Sequence, residues 1–416
     1  AFPALQDRGY GLARAVGLLL WAYPAWLLAA LRIMPHTRPW LWVILLGFAI
    51  CTALLVYARR AQLQALLREN WRALLRIEII FAVLYLFWVL VRYLNPDLWH
   101  PVTGGEKPMD FAYLNAVIKS TWFPPYDPWF AGGIMNYYYF GFVLAGSLTE
   151  ALGIMPSVAY NLIVPSFFAM TGVGAYTLAA NLMGGSEIRR CRAGILGLLL
   201  VLLLGNLGEV RLIFNGLEEL GGVEFTSLIP GYPALVSAIV GLWKVLVQGQ
   251  ALRFRPEWWY WDATRVIPFE PGGAGPINEF PLFSFLYADL HAHMMAYPLT
   301  QIALGVALQW GLGENRAVNH VRALMASAGS VNASRRFISP VRTLLLVLLP
   351  HPFLAFVIGA LAAGALRATN TWDYPTYLAL MIVAFLLNLF STWPRRSQPD
   401  DLPAEQGDER GGRLEA

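Results

Sequence analysis

Charge is what this chain has least of. Lys, Arg, Asp and Glu make up 13% of its 416 residues, about half of the roughly 25% usual for a soluble domain. A globule that meets water on every side needs polar surface everywhere, so a soluble enzyme or carrier is excluded as a class. Cysteine is nearly missing as well. Cys51 lies in an apolar run and Cys191 beside an arginine cluster, and two such thiols build no disulfide framework. The net charge of +4 comes mostly from arginines near the ends of apolar runs. That is a signal of topology, and no nucleic-acid partner is expected.

In place of charge stand 57% hydrophobic residues, with 16 Trp, 18 Tyr and 23 Phe. Aromatic rings favour the two interfaces of a bilayer. A helix needs about 20 apolar residues to cross the hydrocarbon core. Suitable runs cover 11–33, 40–58, 77–94, 158–183, 193–205, 294–311, 343–366 and 376–393, the fifth of them short. Two more stretches, 136–154 and 231–248, are ambiguous; the second carries Lys244 near its middle.

Arginine-rich loops belong on the cytoplasmic side. Such loops hold Arg59 to Arg76, Arg189 to Arg192, Arg316 to Arg336, and Arg395 with Arg396. An even number of crossings must separate consecutive clusters. This places 136–154 along the outer interface and makes 231–248 a surface or re-entrant segment. The expected fold class is all-α: a polytopic transmembrane bundle over 1–393 with about eight spans plus interfacial helices. A disordered polar tail follows at 394–416. Both ends are expected to be cytoplasmic. The start at Ala1 and the polar end read as a fragment of a longer protein.

On that plan the external loops are about 95–157 and 206–293, with a last turn at 367–375, and they hold nearly every dense polar motif. Glu106 and Asp110 stand four residues apart, so a helix would place both carboxylates on one face. Carboxylates at a membrane surface shielded by aromatics acquire the basicity of a general base. The competing reading makes such acids helix caps or turn formers, and for Asp97 and Asp127, each in a Pro-rich turn, that reading is preferred. The loop around Trp258-Trp259-Tyr260-Trp261-Asp262 and Arg265 suits sugars or phosphates, or equally an aromatic belt. Asp289, His291 and His293 alternate. In an extended segment the three share one side and could hold a divalent cation (Mg, Mn or Zn), with Glu279 and Asp262 as further ligands. A helix beginning within the motif defeats that arrangement.

The stretch Gly105-Glu106-Lys107-Pro108-Met109-Asp110-Phe111, the run Tyr137-Tyr138-Tyr139 and Tyr287-Ala288-Asp289-Leu290-His291-Ala292-His293 resemble a largely uncharacterised family of bacterial and archaeal membrane proteins named for its triple tyrosine. The likeness runs from about residue 5 to 393. A more distant resemblance is to the GT-C superfamily of membrane glycosyltransferases, in which an acidic base follows a span in the first external loop and precedes an interfacial helix. The usual Asp-Glu pair is absent, and Gly105-Glu106 stands near its place.

This second resemblance implies a GT-C-like domain over 1–393, on the outer face of the cytoplasmic membrane. It would transfer a sugar from a polyprenyl-phosphate donor to a glycan, lipid or protein acceptor. Asp110 or Glu106 is then the catalytic base. Arg367 and Lys107 become phosphate partners, and Arg265, Trp259, Trp261, Tyr138 and Asp373 further substrate-binding candidates. A snorkelling Arg367 with no ligand is the plainer reading. The alternatives are a transporter or flippase, which calls for charge pairs deep in the spans, and a non-catalytic scaffold.

Overall fold

The computed structural model describes residues 2–99, 105–252, 258–267, 276–312 and 351–391, and every named element in them is helical. A 3-10 turn at Tyr10–Leu12 leads into α1 (Ala13–Ala30), followed by α2 (Arg38–Ala58) and α3 (Arg60–Leu94). The short α4 (Lys107–Lys119) and α5 (Phe140–Leu152) precede α6 (Pro156–Leu182) and α7 (Glu187–Leu202). Then come α8 (Gly208–Gly221), α9 (Tyr232–Gln248), the single turn α10 (Trp258–Trp261), α11 (Pro281–Tyr287) and α12 (Ala292–Leu312). The last two are α13 (His351–Thr369) and α14 (Asp373–Ser391).

Among the described residues four helices are long and apolar enough to cross a membrane: Tyr10–Ala30, Arg38–Ala58, Arg60–Leu94 and Pro156–Leu182. The other four expected crossings fall on α7, α12, α13 and α14. Residues 343–350 lie outside the described residues, so the apolar part of α13 is only Phe353–Thr369. Helix α12 carries Pro298, Thr300 and Gln301 on buried positions, which lowers its hydropathy because it faces protein rather than lipid. Helix α2 is the opposite case, burying only Leu41. Its Trp42, Val43, Leu46, Ile50 and Leu54 are exposed, a surface that suits hydrocarbon and not water.

The centre of the bundle is α6, buried over 83% of its most apolar window. It runs antiparallel to α3. Arg76 Nη1 donates to Tyr176 Oη (3.3 Å), the rings of Trp88 and Phe168 stack at 3.9 Å, and Arg92 Nε donates to Asn161 Oδ1 (2.9 Å). Close approach is needed on two sides at once. A Cβ on Gly172 would stand 2.3 Å from Leu84 Cδ1, and one on Gly174 would stand 1.9 Å from Gln301 Oε1. Small residues that let helices touch are the usual device where lipid supplies no hydrophobic drive. Gln301 Nε2 uses that space to donate to the Thr171 carbonyl (2.7 Å).

The same register sorts the two ends of the bundle. Arg76 also pairs with Glu187 at 2.7 Å, so the arginines of α3 and those of α7 gather at one end, as charge counting requires. The Arg92–Asn161 contact lies sixteen residues further along α3, about 24 Å away. Arg92 is 3% exposed, and Asn161 Nδ2 ties the chain beyond α3 by donating to the Pro96 carbonyl (3.2 Å).

The stretch 136–154, expected to lie along the outer interface without spanning, instead packs its helical part inside the bundle. Its helical part, α5, is buried at ten of thirteen positions and is about 20 Å long, too short to cross. An interfacial helix needs a wet polar face. The sequence from Phe140 to Gly146 is apolar on every side, so it buries among α1, α2, α4 and α13. The stretch 231–248 is the second arm of a helical hairpin. Gly221 and Gly241 allow α8 and α9 to touch, and Lys244 Nζ donates to the Leu220 (2.9 Å) and Gly221 (3.1 Å) carbonyls. The lysine inside an apolar run is thus the cap of the preceding helix.

The α1–α2 connection is pinned by His36. Its N–H donates to the Thr121 carbonyl (2.8 Å), Nε2 lies 3.0 Å from Ser147 Oγ, and its ring packs on Phe123 at 4.9 Å. Burial lowers the His36 pKa to about 4, so the folded state holds it neutral. An unfolded chain takes up the proton below about pH 6.5, and stability therefore falls between pH 6.5 and 4, by up to about 3 kcal/mol. The melting temperature in detergent should drop between pH 7.5 and 4.5, and His36→Gln should flatten that drop. An equal drop in the variant refutes the assignment.

Candidate functional site

At the end of the bundle remote from the arginine clusters, the start of α4 meets the α11–α12 turn. Gly105 adopts a left-handed backbone (φ 63°), and a Cβ there would lie 2.4 Å from Asp289 Oδ2 and 2.5 Å from the Tyr287 ring. Only glycine satisfies both the dihedral and the space. The next residue, Glu106, stands at the N-cap position of α4, and its N–H donates to Asp289 Oδ2 (2.8 Å). Asp110 follows in the first helical turn, where the helix dipole favours an acid.

On the other side, α11 ends at Ala288, again left-handed (φ 62°) and fully buried. A non-glycine residue there costs roughly 1–2 kcal/mol. Tyr160 of α6 holds this turn. Its hydroxyl donates to the Ala288 carbonyl (3.2 Å) and accepts from the Leu290 N–H (3.0 Å). The turn aims Asp289 and His291 at α4 before α12 begins at Ala292. Nothing in the apolar pattern around Tyr160 distinguishes it from a core aromatic, and sequence reasoning assigned it no role in the site.

The side chains then converge. Lys107 Nζ is 3.1 Å from Asp289 Oδ1, with side-chain exposures of 9% and 2%. His291 Nε2 stands 3.2 Å from Asp289 Oδ2 and 3.4 Å from Glu106 Oε2, while its Nδ1 lies 3.3 Å from Glu279 Oε1. His293 Nε2 is 3.1 Å from Glu279 Oε2 and 3.0 Å from Ser284 Oγ. Asp110 is buried beside them. Two sets of possible metal ligands have all their atoms within 4.8 Å of one another: Glu279, His291 and His293, or Asp110, Asp289 and His291. The alternating set Asp289, His291 and His293 is therefore split by geometry. His293 already belongs to α12 and turns to Glu279, and only His291 reaches both groups.

Burial and charge set the protonation states. Burial, reinforced by Asp289 and Glu106, pushes the Asp110 carboxyl up to about 8 although His291 opposes it. Burial would lower His291, but the carboxylates of Asp289 and Glu279 beside it outweigh that and raise the imidazole to about 10. Glu279 is held well below the usual carboxylate range by His291 and His293 against the effect of burial. At neutral pH Asp110 is thus a neutral acid. Glu106, with a side chain 58% exposed, is the carboxylate that meets solvent.

Of the remaining candidates, Tyr138 packs on Tyr137 (5.0 Å), which in turn packs on Tyr113 (5.8 Å); burial and the charges of Glu106 and Asp110 raise the Tyr137 hydroxyl. Trp261 joins through an aromatic ladder, with Arg265 over its ring at 4.3 Å, Tyr287 5.9 Å beyond, and Lys107 over Tyr287 at 4.6 Å. Asp373 lies within electrostatic reach of His293 and accepts from Asn370 Nδ2 (2.9 Å). Arg367 is exposed beside Tyr374 at 5.8 Å, and Asp262 is exposed in a 3-10 turn. Residues 253–257 and the Trp259 side chain lie outside the described residues.

The Lys107–Asp289 pair is the buried charge balance of the site. Lys107→Met leaves Asp289 with only the His291 imidazole opposite it and should cost up to about 3 kcal/mol. Adding Asp289→Asn should recover most of that loss. Thermal unfolding in detergent with a chelator present checks both, and a Lys107→Met protein as stable as the wild type would contradict the pairing.

No curated protein and no solved structure matches this chain. A family model described as "Uncharacterized membrane protein (DUF2298)" matches residues 20–412. The apolar helices and the polar centre at one end are thus those of a member of the uncharacterized membrane protein family DUF2298, to which this chain belongs.

Proposed function

We propose that the protein is a membrane glycosyltransferase of the GT-C kind, acting on the outer face of the cytoplasmic membrane. It would take a sugar from a polyprenyl-phosphate donor and pass it to a glycan, lipid or protein acceptor. One observation carries the reading. A half-exposed carboxylate, Glu106, stands against a buried acid–imidazole–lysine centre, at the end of the bundle away from the arginine clusters. Under the positive-inside rule that end is external.

In this reading Glu106 takes the proton from the acceptor hydroxyl as its oxygen attacks the anomeric carbon. The bond from that carbon to the phosphate oxygen breaks, and polyprenyl phosphate leaves with the negative charge. A base needs contact with solvent and with substrate. Glu106 meets those needs better than Asp110, which is 2% exposed. A divalent cation held beside His291 would stabilise the departing phosphate. Tyr137, Tyr287 and Trp261 offer ring faces for the sugar, and Arg265, at the end of the aromatic ladder, a guanidinium for phosphate. Lys107 is engaged with Asp289, so its role is to balance that acid.

A transporter or flippase gains support from one feature, the Arg14–Glu78 ion pair (2.5 Å) between α1 and α3. Glu78 is two residues from Arg76 and half a turn from the arginine-rich end. The pair therefore sits at the rim of the bundle, where no translocation path requires it.

The test is transfer from a panel of polyprenyl-phosphate sugars by protein purified in detergent. Glu106→Gln should lower the rate about 10²–10⁴-fold. Full activity in both Glu106→Gln and Asp110→Asn would reject acid–base transfer at this centre.

A further inference from the structure

We propose that Asp110, Asp289 and His291 Nε2 form a binding site for one divalent cation of the manganese or zinc class, with Glu106 closing it from the solvent side. The inference deepens the transferase reading by naming the cofactor of that centre, although the binding itself stands on geometry alone.

Three observations carry it. The ligand atoms of Asp110, Asp289 and His291 lie within 4.8 Å of one another. Two ligands at about 2.1–2.2 Å on opposite sides of an ion are separated by about 4.4 Å, so one ion can reach all three after small rotations. Second, Asp110 Oδ2 is buried with no hydrogen-bond partner in a residue only 2% exposed. A buried carboxyl oxygen left unbonded is costly, and Asp110 has a carboxylate oxygen within 4.8 Å of the Asp289 and His291 ligand atoms. Third, His291 Nε2 is buried and makes no directed hydrogen bond, although carboxylate oxygens stand 3.2 and 3.4 Å away. Those are ion-pair distances without hydrogen-bond alignment, as for ligands that share a common point.

The other trio, Glu279, His291 and His293, has fewer atoms to offer. Ser284 Oγ donates to Glu279 Oε2 (2.8 Å), and His293 Nε2 lies 3.0 Å from the same hydroxyl. Glu279 instead serves as the positioning residue. Its Oε1, 3.3 Å from His291 Nδ1, accepts that ring proton and leaves Nε2 as the metal-facing nitrogen. A carboxylate behind a ligating histidine is a recurring arrangement in metal sites. Two carboxylates and one imidazole suit manganese or zinc better than a soft ion.

Metal-stripped protein in detergent, titrated with Mn²⁺ alone, reads the site by electron paramagnetic resonance without donor or acceptor. The wild type should take up one ion with nitrogen coupling from a single imidazole. Asp110→Asn and His291→Gln should each lose the site, and His291→Gln the nitrogen coupling. Glu279→Gln should weaken affinity about 10–100-fold, and His293→Gln should leave it unchanged. Unfolding curves of each metal-free variant separate loss of binding from loss of fold. Absence of Mn²⁺ binding by the folded wild type overturns the proposal, as does a site that survives Asp110→Asn and vanishes with His293→Gln. Glu106-dependent transfer without metal binding would overturn the cation alone. Binding without transfer from any donor would uphold the cation and sink the transferase reading.

Discussion

The polar centre depends on a single bond across the chain, the Glu106 N–H to Asp289 carboxylate contact at 2.8 Å, between residues 183 apart in sequence. It brings the start of α4 onto the α11–α12 turn. Gly105 is what allows it, because any Cβ there would strike the same carboxylate. Once the two segments touch, four carboxyls, two imidazoles and a lysine are crowded where α3, α6 and α12 present apolar walls. The raised Asp110, the charged His291 and the depressed Glu279 all follow from that crowding.

Support for the contact comes from further down the bundle. Tyr160 is buried in α6 and grips the strained Ala288 turn from below. Arg92 and Asn161 fasten the other strand of the entrance to the same helix. A rigid, glycine-packed α6 thus acts as the floor on which both loops rest. Exactness of position matters for a site that must hold reacting groups within about half an ångström, and long spans packed through Gly172 and Gly174 provide it.

Much of this was legible in the residues. Long apolar runs announce α1, α2, α3 and α6, because lipid demands length and hydropathy together. The acids at 106 and 110 and the His291–His293 motif stand out as rare polar groups in an apolar chain. Other parts carry no local mark. Helix α5 reads as interfacial until its all-round apolarity is taken to mean full burial. Lys244 looks like a charge in a span, and its partners are carbonyls on a neighbouring helix. Tyr160 and Tyr137 matter through contacts over long sequence distances, which spacing along the chain cannot encode. The division of labour between His291 and His293 turns on where α12 begins, a boundary of one or two residues.

The central claim is that residues 105–110 and 289–293 meet on one face of the membrane. With Cys51 and Cys191 replaced by serine, Glu106→Cys and His293→Cys can be labelled in intact cells by a membrane-impermeant maleimide and joined by a short bifunctional one. The account predicts labelling of both from outside and an efficient cross-link. Labelling from opposite sides, or no cross-link between accessible thiols, would contradict it.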